Sequence, residues 1–192
     1  MDASHQEVAT EDEYLARERL SETKNEYING HVVAMAGAST RHTLLAGNVI
    51  AALSLRLRGK PCMALPSDQR VHVSGTGLYT YPDVTVLCAP PRYAPKDSMS
   101  LQNPTVLVEV LSESTEAYDR GAKFAHYRRL PSLQEYLLVW QAERHVEHYR
   151  RIEEMQWLLT ERIGDGAITL PSLGVELPLA EIYDKVELLE AQ

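Results

Sequence analysis

Residues 105–111 are apolar on both alternating faces and carry a single charge, Glu109. That is how a central strand covered on both sides reads. A carboxylate inside such a strand is costly unless it is paired or holds a metal. Ser112, Ser114 and Thr115 then supply helix-start residues, and the apolar spacing changes to a helical period that Leu130-Pro131 stops. On that helix Asp119, Lys123 and Tyr127 recur at i, i+4 and i+8, along one face. Residues 81–88 predict a second apolar strand, with one acid, Asp83, near its start. Two neighbouring strands with one carboxylate each would frame a divalent-metal site.

The rest of the chain interleaves helical and strand periods. Residues 11–21 read as a helix behind a loose tail over residues 1–10. Asn29-Gly30 between two apolar-rich runs is a hairpin signal, with Glu26 at the entry to its first strand. Residues 41–58 form an amphipathic helix carrying Leu45, Val49, Leu53 and Leu57 near one stripe, with His42 in its first turn. Residues 62–65 and 69–73 are short strand candidates, and residues 89–103, with three prolines, read as a loop. Further on, residues 136–140, 146–149, 156–162 and 168–170 predict strands of a meander, and residues 179–183 a short closing helix. The pattern implies an α/β (α+β mixed) fold, a mixed sheet flanked by helices, in one domain over residues 1–192.

Charge narrows the function classes. Lys and Arg number 19 against 27 Asp and Glu, a formal charge of −8, so attraction to nucleic acid has to come from a local patch. Residues 1–13 are polar and acidic, unlike a signal peptide. No apolar segment approaches the ~20 residues a membrane span needs. The expectation is a cytosolic protein with no membrane partner, in which Cys62 and Cys88 stay reduced.

The candidate chemistry has competing structural readings. Asp83 and Glu109 are either ligands of Mg²⁺ or Mn²⁺ or salt-bridged acids at strand ends. Lys123 either stabilises charge on a metal-bound phosphate or makes an ordinary helix-surface pair with Asp119, worth only ~0.3–0.5 kcal/mol. Tyr127 is a support or a core aromatic, His42 a cleft residue or an exposed one, and Glu26 a third acid or a solvated hairpin residue. No Gly-rich phosphate loop, nucleophile elbow or zinc spacing occurs.

Taken in order, Glu26-Tyr27-Ile28-Asn29-Gly30, Arg41-His42, Tyr81-Pro82-Asp83-Val84, Val108-Glu109-Val110-Leu111-Ser112, the Asp119, Lys123, Tyr127 stripe and Glu135-Tyr136-Leu137-Leu138-Val139 resemble the Uma-two family of restriction-endonuclease-like proteins. This is a branch of the PD-(D/E)xK nuclease superfamily. The resemblance implies a restriction-endonuclease-like fold with a C-terminal antiparallel meander and a metal-dependent phosphodiesterase site acting on DNA. By that resemblance Asp83, Glu109 and the Val110 carbonyl hold Mg²⁺ (or Mn²⁺) with help from Glu26, and Lys123 is the catalytic cation. His42, Asp119, Tyr127 and Ser112 support them or line the cleft. The superfamily's lysine two residues after the strand acid is Leu111 here, and Lys123 stands in its place. A homodimer follows by analogy, since a duplex has two strands to cut. The alternative is a catalytically weak nucleic-acid-binding or self-assembling module that keeps the fold.

Overall fold

The computed structural model describes residues 7–189. β1 (Glu7–Val8) precedes α1 (Glu11–Glu18), which starts at a capping box between Thr10 and Glu13. β2 (Asn25–Ile28) and β3 (His31–Ala34) form the expected hairpin. Asn29 and Gly30 take φ of 51° and 84°, the two left-handed positions that a tight two-residue hairpin turn demands. The N-cap Ser39 opens α2 (Thr40–Arg56), which buries Leu45, Val49, Ala52 and Leu53. β4 (Met63–Pro66), β5 (Arg70–Val73), β6 (Leu78–Thr80), β7 (Val84–Leu87), β8 (Tyr93–Ala94), β9 (Asp97–Leu101) and β10 (Val106–Val110) follow. α3 covers residues 116–127, and its middle turn, Asp119–Lys123, is π-helical. β11 (Glu135–Val139), β12 (His145–Glu153) and β13 (Gln156–Ile163) make an antiparallel meander. The hairpin of β14 (Ala167–Leu170) and β15 (Val175–Pro178) and the short helix Leu179–Ile182 come last.

Two sheets carry the architecture. One has the order β1-β3-β2-β6-β5-β9-β8, the other β13-β12-β11-β10-β7-β4. The central strand of the second sheet is the one that sequence predicts. β10 pairs in parallel with β11 and antiparallel with β7, and all five of its residues are buried. Val106, Val108 and Val110 face a core built with α2 and the C-terminal elements. Leu107 and Leu111 face a second core with Phe124 and Tyr127 of α3 and with Val71, Val73 and Leu78 of the first sheet. Glu109 therefore shares the face that meets α3.

Three expectations change. Residues 89–103 are not all loop, because β9 pairs in parallel with β5. Its anchor is polar: Arg70 and Asp97, both buried, meet at 2.6 Å, a pairing that hydrophobic patterning does not register. Residues 81–88 are not one strand, since Asp83 lies in a bend before β7. Cys62 and Cys88 are not free thiols but a disulfide. The register Met63↔Leu87 brings the two opposite each other across β4 and β7, although 26 residues separate them. Of the expected tail, residues 1–6 lie outside the described residues, and Glu7–Val8 pairs with β3.

Candidate active site

The two sheets and α3 converge on one buried charge cluster. Glu26 of β2 and Thr80 of β6 are cross-strand neighbours in the first sheet, one step beyond the pair Tyr27↔Tyr79. The Thr80 hydroxyl donates to Glu26 Oε1. Glu109 enters from β10, and Asp119, Lys123 and Tyr127 from α3. Lys123 Nζ lies 2.9 Å from Glu109 Oε1, 3.3 Å from Glu26 Oε1 and 3.5 Å from Asp119 Oδ1. The Tyr127 hydroxyl donates to Glu109 Oε1 at 2.7 Å. All six side chains are buried, so the Asp119–Lys123 contact is not a solvated helix-surface pair.

Three carboxylates thus share one ammonium. Burial works against the Lys123 charge, but the surrounding Glu109, Glu26 and Asp119 outweigh it and hold the ammonium protonated well above its ordinary range. Glu109 pays for the excess: desolvation, with Asp119 and Asp83 nearby, pushes its carboxyl up to about 8 against the pull of Lys123. Desolvation also raises the Asp119 carboxyl, and it raises the Tyr127 phenol far above its usual range. The cluster is a pocket of surplus negative charge.

Asp83 stands beside it, in one of the links that carry the chain from the first sheet to the second. Extending the register Val108↔Val84 by one residue sets Asp83 next to Glu109. The Val110 N–H donates to Asp83 Oδ2 at 2.7 Å, and His42 Nε2 lies 2.8 Å from Asp83 Oδ1. Burial opposes the His42 charge, yet the hydrogen bond and charge of Asp83 leave its pKa raised. His42 is accordingly half-buried and engaged rather than simply exposed. Ser112 is elsewhere in role: its hydroxyl meets Ser114 and Thr115 at 3.1 and 3.0 Å and closes the turn into α3.

A family model described as "Putative restriction endonuclease", Uma2, matches residues 11–180. The chain belongs to the Uma2 family. Among its relatives, the uncharacterized protein sll1609 of Synechocystis is 39% identical over 160 residues, which are 83% of this chain and 90% of that protein. A second Synechocystis protein, slr1290, also uncharacterized, is 35% identical over 172 residues, 90% of each chain. A crystal structure of a putative nuclease of DUF820 from Anabaena variabilis shares the fold, with a TM-score of 0.72 at 18% identity over 92% of this chain and 98% of that one.

Within this Uma2 chain the donors suit a hard cation. They are oxygens of Asp83 and Glu109 at the end of one sheet, in a buried region with more carboxylates than ammoniums. They are not gathered into a closed cage. Among the described residues the trio of His, Asp or Glu donors that comes together within 4.8 Å is His145, Glu147 and Glu161 on β12 and β13. There the Arg120 guanidinium already engages Glu147, with Nε at 2.9 and 3.2 Å from its two oxygens. Sequence reading missed Thr80 and Tyr118, which bind Glu26 from the neighbouring strand and from α3; the Tyr118 hydroxyl reaches Glu26 Oε2 at 3.5 Å. A threonine in an apolar strand and a tyrosine in a helix carry no signal of that kind.

Proposed function

We propose that this protein is a metal-dependent endonuclease that hydrolyses DNA phosphodiester bonds. The observation that carries the reading is Lys123 at 2.9 Å from the strand acid Glu109, with Asp83 adjacent through Val110, in a member of a restriction-endonuclease family. Asp83, Glu109 and the Val110 carbonyl would hold Mg²⁺ or Mn²⁺, with Glu26 in support. When bound, the ion acidifies a water nucleophile and neutralises charge on the phosphate.

The chain's own groups supply the rest. Lys123 presents a charged ammonium at the end of β10, where it orients the nucleophile or stabilises negative charge that develops on the phosphate. Glu26 and Asp119 keep that ammonium protonated, and the π-helical turn that bears it fixes its position. Tyr127 fixes the Glu109 carboxylate through one oxygen. His42 and the Val110 N–H hold Asp83 from two sides. Cutting both strands of a duplex calls for two such sites, hence a homodimer.

The test is calorimetric titration of Mn²⁺ and Mg²⁺ into the parent and into Glu109→Ala, followed by plasmid nicking with the same samples. Saturable binding that Glu109→Ala abolishes, together with metal-dependent nicking, is the expected result. Metal binding without nicking under any condition would favour the catalytically weak module, and nicking that persists in Glu109→Ala would overturn the assignment.

A further inference from the structure

A second constellation lies on the opposite face of the six-stranded sheet. In register, β12 and β13 place His148 against Thr160, Arg150 against Leu158 and Val146 against Arg162. Directly paired residues share a face, so His148, Arg150, Thr160 and Arg162 all point the same way. They line a cleft of about 320 Å³ that the hairpin strand β14 walls off with Ile168 and Thr169. The cluster around Lys123 faces α3 instead, on the other side of the sheet.

The charges in this cleft are arranged to leave cations free. Arg150 is directly paired in register with Glu135 of β11, an obvious carboxylate partner. Glu135 is already consumed. It is fully buried, its Oε2 lies 2.5 Å from His148 Nε2, and its Oε1 accepts from the Ser172 N–H at 2.8 Å and from the Ser172 hydroxyl. Glu161, at the rim, meets His145 Nε2 at 3.2 Å. Among the described residues neither the Arg150 nor the Arg162 guanidinium has a hydrogen-bond or ion-pair partner. That is notable in a chain with eight more acids than bases, where spare carboxylates are abundant. Two unpaired guanidiniums, a histidine held in place by a buried acid and the hydroxyls of Thr160 and Thr169 make a donor-rich site beside an apolar wall. Guanidinium forks match phosphate oxygens in geometry and charge.

We infer that this cleft binds a phosphate group carried on an organic body, either a free mononucleotide or a backbone phosphate of a polynucleotide. Arg150 and Arg162 contact the phosphate, and Leu158 and Ile168 pack against the body. The proposal does not depend on the hydrolytic reading of the other site.

The experiment is calorimetric titration in EDTA, with adenosine 5′-monophosphate, inorganic phosphate and a twelve-residue single-stranded DNA as separate probes. The proteins are the parent, Arg150→Gln/Arg162→Gln, Thr160→Glu and Glu109→Ala. The expected result is saturable binding of the mononucleotide that falls at least about tenfold in both cleft variants and is unchanged in Glu109→Ala. Binding confined to the oligonucleotide, with the same dependence on the cleft variants, assigns the phosphate to a polynucleotide backbone. Absence of binding by every probe, or binding that neither cleft variant weakens, overturns the proposal. Thr160→Glu changes an exposed strand position and keeps the test decisive should the double variant melt early.

Discussion

At the residue scale, the energetics of the candidate site rest on three carboxylates sharing Lys123. Lys123→Ala leaves Glu26, Glu109 and Asp119 buried without a cation, so it should cost about 3–5 kcal/mol in stability as well as nicking activity, measured by urea unfolding and the plasmid assay. Tyr127→Phe removes the hydroxyl's 2.7 Å bond to Glu109 and its long 3.5 Å contact with the Thr80 hydroxyl; a loss of about 1 kcal/mol is expected, with metal binding retained. The buried Arg70–Asp97 pair gives the pH dependence. Desolvation alone would raise the Asp97 carboxyl, but hydrogen bonds from Ser100 and Arg70 and the charge of Arg70 hold it below its usual range. A carboxyl depressed on folding contributes stability above its unfolded value and loses it as pH falls through the folded value. Urea midpoints should therefore drop in acid below about pH 4. In Asp97→Asn that part of the decline should vanish.

At the scale of elements, α3 positions the site through an irregular turn. Asp119 and Lys123 open and close a π-helical segment, and such segments insert one residue into an α-helix and recur at functional sites. Deleting Gly121 would restore α-helical winding and rotate Asp119 away from Lys123 and Tyr127. The expected protein retains its far-ultraviolet circular dichroism but loses metal-dependent nicking; full activity in the deletion variant would show the turn to be incidental. α2 depends on its N-cap, since the Ser39 hydroxyl accepts from the His42 N–H at 3.1 Å, one turn from the contact between His42 and Asp83. Ser39→Ala should cost about 1 kcal/mol in thermal unfolding.

At the scale of the whole molecule, the chain crosses repeatedly between two sheets, and one such link runs through Tyr81, Pro82 and Asp83. The disulfide ties β4, an edge strand, to β7 at the end of β7 away from that link. A cross-link that closes a loop spanning 26 residues should stabilise by roughly 3–4 kcal/mol through the unfolded chain. The paired Cys62→Ser/Cys88→Ser protein should show that loss in non-reducing urea unfolding, and the parent should match it in excess dithiothreitol. No described helix is long and apolar enough to cross a membrane.

The sequence alone determined what depends on neighbours along the chain. The period of two on both faces of β10, the helical period of α2, the Asn29-Gly30 turn and the lone acids Asp83 and Glu109 are local signals, because strand and helix geometry repeat every few residues. Burying a charge is costly enough that Glu109 among valines already announced a partner. Tertiary structure decided what depends on partners far away in sequence. Only the meeting of two sheets with α3 shows that Lys123 faces Glu26 and Glu109 together, and only strand pairing within each sheet shows that Thr80 completes Glu26 and that Cys62 and Cys88 are neighbours. The polar anchor of β9 and the unpaired state of Arg150 likewise follow from strand register. Pairing energies and desolvation are set by distance and surroundings in space, and these no linear spacing encodes.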